Sequence, residues 1–368
     1  MKYCTTCLLP DTRPNLKIDI NGVCSACRKN PKKTNWKLRL NEFKKLVKKI
    51  KKKNRIYDCV IPVSGGKDST WQVIVAKKYG LKPLCVTWRS PARNKLGKKN
   101  LDNLVKLGVD HVDFSINLDI EKKFIYQTFK EFGNPLIPMH LAIHAIPTQI
   151  ALEKNIPLIL WGENSAYEYG GAKSYKGKFM SNKWRKVFGV NEGKSIDYWA
   201  NKNFKKRDLF PYSLPSSSRL NSSKIIEVFL GYFFEWSPKK VYNISKKFGF
   251  KSAKIPKTGF YKFADIDDEF LITIHHFMKW YKFGFTREWD NLSIEIRNKK
   301  ITRNKALNLI KRKGFKLPIK EINKFCDFIG IDKKEFFNIA NLHRNKKIWS
   351  KKNTKWVIKN FLIKNWKW

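Results

Sequence analysis

The chain has 368 residues, of which 42% are hydrophobic, so it is long enough to bury a substantial core and to hold more than one domain. No apolar run reaches the roughly 18 residues of a membrane span, and the N-terminus lacks the apolar core of a signal peptide; we therefore expect a cytoplasmic protein without a membrane span. The net charge of +47 favours anionic ligands. Only 14 of the 77 basic residues are Arg, the residue on which bidentate contacts to nucleic acid depend. The charge therefore also fits a coding bias towards Lys, and nucleic acid is not expected as a partner.

Two cysteine pairs lie in the first thirty residues of the chain. Cys4 and Cys7 are separated by two residues, as are Cys24 and Cys27, and sixteen residues lie between the pairs. Each pair fits a tight turn that aims two thiolates at one point, and the spacing is typical of structural zinc. The alternatives are an iron–sulfur cluster and two disulfides, of which the disulfides are not expected in a cytoplasmic chain. We therefore predict a zinc ribbon over residues 1–34.

The middle of the chain alternates apolar runs with helical patterns. A basic segment over residues 35–55 has apolar residues at helical spacing and predicts an amphipathic helix that leads into this region. The alternation that follows predicts an α/β domain over residues 35–220 with a parallel sheet, in which ligands bind beyond the carboxyl ends of the strands. Residues 221–368 have a dominant helical pattern and are assigned to a helical C-terminal domain. The predicted strands are 58–63, 84–88, 111–116 and 157–161, and the predicted helices are 69–79, 99–107, 119–131 and 140–154.

The most specific motif is the sequence Ser-Gly-Gly-Lys-Asp-Ser between the first predicted strand and the helix after it. Two glycines let the backbone pass close to an anion, and a helix start offers unpaired N–H groups and a positive dipole end. Because the spacing of a Walker loop is absent, the motif resembles instead the PP-loop, which binds pyrophosphate in the ATP pyrophosphatases. The alternative is a serine–glycine turn that only caps a helix. The predicted ATP contacts in this loop are Ser64, Gly65, Gly66, Lys67, Asp68 and Ser69.

Two further motifs are candidates for the same site. Trp-Gly-Glu-Asn follows the last predicted strand, where a carboxylate and an amide suit ribose, magnesium or a substrate amide; an ordinary polar loop is the alternative. A Lys- and aromatic-rich segment begins at Lys279 and continues through Arg287 to Arg297, and its alternative is a pair of helices that only pack. The candidates outside the PP-loop are Thr87 and Gly162 for ATP, and Glu163, Asn164, Glu168 and Arg287 for substrate or magnesium.

Together these segments resemble the N-acetyl sugar amidotransferases, the WbpG-like enzymes of O-antigen and nonulosonic-acid biosynthesis. The matching segments are the cysteine pairs with Leu-Pro-Asp-Thr-Arg-Pro, the PP-loop, Trp-Gly-Glu-Asn with Glu-Tyr-Gly-Gly, and Lys-Trp-Tyr-Lys-Phe-Gly-Phe with Ile-Glu-Ile-Arg. They follow the family order from residue 4 to about residue 312. The resemblance implies a PP-loop fold of the adenine nucleotide alpha hydrolase-like type, with structural zinc, ATP and magnesium.

The implied reaction is that of an ATP-dependent ligase that forms AMP and pyrophosphate. ATP would adenylate the carbonyl oxygen of the N-acetyl group of a nucleotide-activated sugar, and ammonia would displace AMP to leave an acetamidino group. Lys67 and Asp68 are the implied catalytic residues. No glutaminase nucleophile is visible, since residue 2 is Lys and the remaining cysteines lie in apolar surroundings. The resemblance therefore implies a glutaminase and a barrel subunit, like those of imidazole-glycerol-phosphate synthase, as partners.

A PP-loop enzyme that thiolates tRNA is the alternative function. Some of those enzymes combine zinc ribbons with a PP-loop and a basic surface, but they usually carry further catalytic cysteines as a CxxC pair in the ATP domain. Cys59 and Cys85 do not form that pattern. A zinc-ribbon scaffold without catalytic activity is a third hypothesis, and the intact Ser64–Ser69 loop argues against it.

Overall fold

The computed structural model describes residues 1–28, 34–166, 175–188, 194–202 and 204–368. Five parallel strands form the central sheet in the order β3-β2-β1-β4-β5. They confirm the predicted α/β class and its four predicted strands. The strands are β1 (Cys59–Pro62), β2 (Pro83–Trp88), β3 (Asp110–Phe114), β4 (Leu158–Trp161) and β5 (Ile226–Phe229).

Helices cover both faces of this sheet because successive strand residues alternate between two hydrophobic cores. Val60 of β1 packs in one core, which α5 covers, whereas Cys59 and Ile61 pack in the other, beneath α1 and α2. The predicted helices are confirmed, with ends that differ by a few residues. The helices of this region are α1 (Trp36–Lys51), α2 (Lys67–Lys78), α3 (Lys95–Val105), α4 (Leu118–Phe132) and α5 (Ile137–Glu153).

The central sheet extends beyond the predicted domain boundary at residue 220. Strand β5 follows it and pairs with β4 from Leu158↔Ile226 to Trp161↔Phe229, so this segment completes the sheet. The helix Pro238–Lys247 then packs on α2. Four strand residues are too few to outweigh the helical pattern around them, which is why the sequence favoured a helix here. Shorter helices in this part of the chain are Asn182–Phe188, Ile196–Ala200, Ser217–Ser223 and Leu230–Phe233, with a 3-10 turn at Phe210–Tyr212.

The C-terminal part is mainly helical, as predicted, and ends in an antiparallel hairpin that was not predicted. It shares a hydrophobic core with the α/β part, since Phe325 and Phe336 contact Phe129 of α4. Among the described helices, none combines the length and the apolar character that crossing a membrane requires. The elements are helices Leu271–Phe283, Arg287–Arg297, Arg303–Lys313, Ile319–Ile329 and Lys333–Leu342, and strands Trp349–Lys352 and Lys355–Ile358.

The N-terminal ribbon packs on the C-terminal part of the chain. Leu8 is fully buried in a core with Phe285 and Trp289. Arg303 donates to the carbonyl of Cys7 over 3.0 Å, and Thr12 donates to the carbonyl of Phe283 over 2.6 Å. Residues distant in sequence therefore form one unit, in which the ribbon contacts the C-terminal helices directly.

Candidate active site

The strand order creates a crevice at the centre of the sheet. The neighbours β1 and β4 pair at Val60↔Ile159. The strand that follows β1 lies towards one edge of the sheet, and the strand that follows β4 lies towards the other. In open parallel sheets, ligands bind beyond the carboxyl ends of the strands at this switch point. The loop after β1 is the predicted PP-loop, and the loop after β4 carries the Trp-Gly-Glu-Asn motif. Both motifs therefore flank one crevice.

The PP-loop geometry depends on its two glycines. Gly65 has a φ of +82°, and a Cβ atom there would lie 2.7 Å from the backbone nitrogen of Leu101. Gly66 caps α2, and its carbonyl accepts hydrogen bonds of 3.0 Å from the hydroxyls of Ser69 and Thr70. The N–H of Gly66 donates to the Ser64 hydroxyl over 3.2 Å. The first turn of α2 therefore faces the crevice, which is the arrangement that binds anions at helix N-termini.

Lys67 and Asp68 are held from the side opposite the sheet. The buried Lys67 ammonium pairs with the carboxylate of Asp68, whose other oxygen accepts a 3.0 Å hydrogen bond from the indole of Trp236. The Ser245 hydroxyl donates to the Lys67 carbonyl over 2.6 Å. Segment 236–245 therefore fixes the first turn of α2, so that a fixed positive charge lies beside the loop.

A cavity of about 520 Å³, here called the central cavity, lies over this loop. Its volume falls within the roughly 300–1,000 Å³ of ordinary ligand sites. Its wall is formed by both the α/β part and the C-terminal part of the chain. The predicted site residues that line it are Ser64, Gly66, Lys67, Asp68, Ser69, Thr87, Glu163 and Arg287.

Thr87 and the two remaining glycines have supporting positions. The Thr87 hydroxyl donates to the carbonyl of Val63 over 2.7 Å and lies 2.9 Å from the imidazole of His111. It therefore joins the end of β2 to the end of β1 while it lines the cavity. Gly162 accepts from the N–H of Gly231 over 3.1 Å. Neither Gly65 nor Gly162 is among the described residues that line the central cavity.

The two polar residues of the loop after β4, Glu163 and Asn164, lie in different environments. Glu163 is exposed and lines the central cavity. Asn164 is buried; its amide donates to the carbonyl of Tyr175 over 2.8 Å, and its oxygen accepts from the indole of Trp184 over 3.0 Å. Asn164 therefore orders the loop from below, and its predicted contact with substrate or magnesium stays a prediction. Glu168 lies outside the described residues.

An acidic segment that the sequence analysis missed faces the PP-loop. Asp265, Asp267 and Asp268 all line the central cavity. Burial alone would raise the pKa of Asp265, but the nearby Arg287 charge, together with hydrogen bonds from His276 and Thr258, holds it well below the ordinary value. Burial raises the pKa of Asp268 to about 7. The run Asp-Ile-Asp-Asp-Glu over residues 265–269, in a chain with 30 acidic and 77 basic residues, is the signal that could have revealed this segment.

Arg287 lies between two carboxylates beneath the cavity wall. Its Nε is 3.6 Å from Asp265 and its Nη1 is 3.9 Å from Asp290. Asp290 is fully buried, and it also pairs with Lys279 and, over 3.0 Å, with Arg13 of the ribbon. Burial opposes ionisation of Asp290, but these cations hold its pKa well below the ordinary value. The third sequence motif therefore forms an ion network that links the ribbon to the central cavity.

The four N-terminal cysteines form a candidate metal centre. Their sulfur atoms all lie within 4.8 Å of one another, and those of Cys7 and Cys24 are 3.7 Å apart. Tetrahedral zinc with Zn–S bonds of about 2.3 Å requires sulfur separations of about 3.8 Å. The N–H groups of Cys7 and Cys24 donate to the sulfur of Cys4 over 3.4 and 3.3 Å. Cys4, Cys7, Cys24 and Cys27 therefore fit the donor set of a structural zinc ion.

Comparison with protein families finds a match in the C-terminal part of the chain. Residues 257–362 match the family described as LPS biosynthesis protein WbpG-like, C-terminal domain. This segment is therefore similar to the WbpG-like C-terminal domain. It contributes Asp265, Asp267 and Arg287 to the central cavity, and the match confirms for this part the resemblance drawn from the sequence. A comparison with curated proteins finds no significant match.

Comparison with solved structures finds several matches at low identity and low TM-score. They include a predicted subunit of tRNA methyltransferase from Methanocaldococcus jannaschii, at 15% identity over 64% of this chain and 92% of that chain, with a TM-score of 0.30. NMN synthetase from Francisella tularensis has 16% identity over 60% and 98% of the two chains, with a TM-score of 0.28. NH3-dependent NAD synthetase from Campylobacter jejuni has 15% identity over 61% and 100%, with a TM-score of 0.29. At these values the likenesses carry no argument about the activity of this chain.

Proposed function

We propose that the protein is an ATP-dependent amidotransferase that converts the acetamido group of a nucleotide-activated sugar to an acetamidino group in surface-glycan biosynthesis. One observation carries the proposal: the loop Ser64–Ser69 and the WbpG-like C-terminal domain line the same cavity. The loop supplies an anion site of the kind that suits the phosphates of ATP. The C-terminal domain then faces the phosphates from the side where an acceptor must approach.

The reaction requires a poor electrophile to be activated. The acetamido oxygen would attack the α-phosphorus of ATP and release pyrophosphate, which leaves an O-adenylated imidate. Ammonia would then attack the amide carbon, the C–O bond would break, and AMP would leave with the oxygen and its electron pair. Lys67 and the N–H groups of the first turn of α2 are fixed before the reaction, so that they would stabilise the departing pyrophosphate; one such donor is worth roughly 3 kcal/mol.

Magnesium fits the same wall of the cavity. Carboxylate oxygens are the ligands that this ion prefers, and Asp68 and Glu163 both line the cavity. These two residues would hold the ion, which would neutralise phosphate charge. Ammonia would come from a partner glutaminase docked through a barrel subunit, since the cysteines outside the candidate metal centre are buried. Burial raises the pKa of Cys59 well above its ordinary value, that of Cys85 to about 12 and that of Cys326 to about 11.

The same thiols disfavour sulfur transfer to tRNA. The thiolate is the reactive form of a catalytic cysteine, and Cys59, Cys85 and Cys326 are all buried. None of the three is among the described residues that line the central cavity.

The decisive experiment follows the acetamido oxygen. Purified protein is given ATP, magnesium, ammonium and a nucleotide-activated N-acetyl sugar whose carbonyl carries a heavy-oxygen label. We expect AMP and pyrophosphate as products, the label on AMP and an amidine on the sugar. Glutamine should not replace ammonium until the partner subunits are added. Release of ADP, or label in inorganic phosphate, would reject adenylation and with it the proposed function.

A further inference from the structure

A second cavity lies entirely within the WbpG-like C-terminal domain. This cavity, here called the C-terminal cavity, has a volume of about 230 Å³, and all its lining residues fall between Lys257 and Pro318. Arg287 lines both this cavity and the central cavity. Its volume is below the roughly 300–1,000 Å³ of sites that enclose a whole ligand. It is therefore suited to one part of a larger ligand that also extends towards the central cavity.

Charge in the lining favours an anion. Four basic residues line the C-terminal cavity, against one acidic residue, Glu288. Lys313 pairs with Glu288, and Arg287 faces Asp265 and Asp290, so the positive excess of the described lining comes from Lys257 and Lys316. Lys316 is exposed at the rim, and no acidic partner within the described residues is recorded for it. Clustered ammonium groups are typical of sites for carboxylates and phosphates.

The inner wall carries polar atoms that lack partners. Thr273 and His276 lie three residues apart, on the same face of the helix Leu271–Phe283, and both line the cavity. Within the described part of the chain, neither the Thr273 hydroxyl, in a residue only 8% exposed, nor Nδ1 of His276 has a hydrogen-bond partner. Such buried groups cost about 1–3 kcal/mol each when unsatisfied. A ligand with hydroxyl groups would satisfy them.

The state of His276 agrees with that chemistry. Burial lowers the pKa of His276, although the neighbouring Asp265 carboxylate opposes the shift. The neutral ring directs Nε2 at Asp265 over 3.4 Å, so that Nε2 is the donor and Nδ1 is left as an acceptor. On the same wall, Phe277 and Phe315 stack with ring centroids 6.0 Å apart, which adds an apolar surface. Acceptor atoms, an aromatic surface and lysines together suit a hydroxylated ring that bears an oxyanion.

We propose that the C-terminal cavity binds the oxyanion-bearing part of the acceptor, with Lys316 at the anion and Thr273 and His276 in the wall that meets its hydroxyl groups. The oxyanion is a carboxylate on the sugar ring or a phosphate of the nucleotide. Arg287 and Asp265 then lie between this part of the acceptor and the reacting amide in the central cavity. This inference rests on the proposed function, because it takes the acceptor to be a nucleotide-activated sugar.

Binding without ATP tests the site separately from the reaction. Calorimetric titration of the full chain would use three probes: UDP, UDP-N-acetylglucosamine and its uronic acid counterpart. Lys316→Glu should weaken one class of probe about tenfold or more, as expected for a lost charged contact. A loss confined to the uronic acid identifies the sugar carboxylate, and a loss shared by all three identifies a phosphate. Lys311→Glu, the same charge change at an exposed position of the helix Arg303–Lys313, should leave all three affinities unchanged.

A second variant separates binding from packing. Thr273→Val keeps the shape of the side chain and removes a hydroxyl without a partner, so the Tm of the free protein should hold or rise. The affinity for the two nucleotide sugars should nevertheless fall several-fold, whereas that for UDP should not change if the ring lies against this wall. The proposal is overturned if neither variant changes any affinity by more than the Lys311→Glu control. Lys316-dependent binding without AMP formation would keep the site and reject the proposed reaction.

Discussion

Two loops face each other across the central cavity, and they are held in place in different ways. The loop Ser64–Ser69 takes its shape from adjacent residues: a strand before it, a glycine with positive φ within it, and a helix after it. The segment 265–268 depends on residues about 170 positions earlier. The Asn94 amide donates to the carbonyl of Ile266 over 2.7 Å, and next to the segment the backbone N–H of Glu269 donates to the carbonyl of Ala92 over 2.7 Å. The backbone of the proposed phosphate side is therefore shaped mainly by adjacent residues, with Trp236 and Ser245 holding its Asp68 and Lys67. The proposed acceptor side exists only when distant parts of the chain meet.

The largest effect is expected at the candidate metal centre, because the ribbon has little core of its own and contacts the proposed acceptor side through Arg13 and Asp290. Purified protein should contain about one zinc per chain, and Cys7→Ser should lose the metal together with solubility. Binding of structural zinc supplies roughly 10–16 kcal/mol in small domains. Metal analysis and limited proteolysis of the first 28 residues would measure this. Cys326→Ala, a cysteine outside the centre, is the matched control, and a metal-free protein with wild-type activity would contradict the assignment.

The next largest effect is expected on the phosphate side. Lys67→Ala should lower kcat/KM for ATP by about 100-fold or more, because a fixed charge beside the departing pyrophosphate is lost. Its fold should persist, because the loop backbone is held by the hydrogen bonds of the Gly66 carbonyl with Ser69 and Thr70. Lys78→Ala, at the exposed end of the same helix, should leave kcat/KM unchanged. A near-normal rate of AMP formation in Lys67→Ala would remove Lys67 from the reaction.

A third, smaller effect concerns Glu121, which supports the wall of the central cavity through Trp88. The indole of Trp88 donates to Glu121 over 2.8 Å, and burial raises the pKa of this carboxyl from 4.5 to about 8. Between these two pH values the unfolded chain has released the proton while the folded protein still holds it. The free energy of unfolding therefore falls as the pH rises through this window.

Glu121→Gln removes the ionisable group, so position 121 no longer binds a proton in either the folded or the unfolded state. The variant should gain stability relative to wild type by a few kcal/mol as the pH rises from 5 to 8. Chemical denaturation at both pH values measures the gain. Glu153→Gln, on an exposed carboxylate at the end of α5, should show no such trend. An equal stability difference at pH 5 and pH 8 would show that Glu121 is ionised in the folded protein.

What the sequence could predict follows the same division between local and distant determinants. Hydrophobic alternation predicted four of the five strands, and the glycine–lysine motif predicted the loop, because both depend on residues within one strand–turn–helix unit. Strand β5 was missed because its pairing with β4 lies outside its own sequence. Segment 265–268 was missed for the same reason, since acidic residues on a loop have no periodicity. The C-terminal cavity is formed by four separate segments, and no single one of them indicates it.

The smallest predicted effect tests the long-range support directly. Asn94 and Asn117 are both helix N-caps: Asn94 accepts from the N–H of Gly97 over 2.7 Å, and Asn117 accepts from that of Asp119 over 3.0 Å. Either Asn→Ala change should therefore cost about 1 kcal/mol of stability. Only Asn94 also donates to segment 265–268, so only Asn94→Ala should lower kcat/KM for the acceptor several-fold. Asn94→Asp, which keeps the cap oxygen but lacks the donor to Ile266, should lower activity without losing the cap, as measured by Tm and initial rates. Equal activity in Asn94→Ala and Asn117→Ala would mean that the acidic segment holds its place without this support.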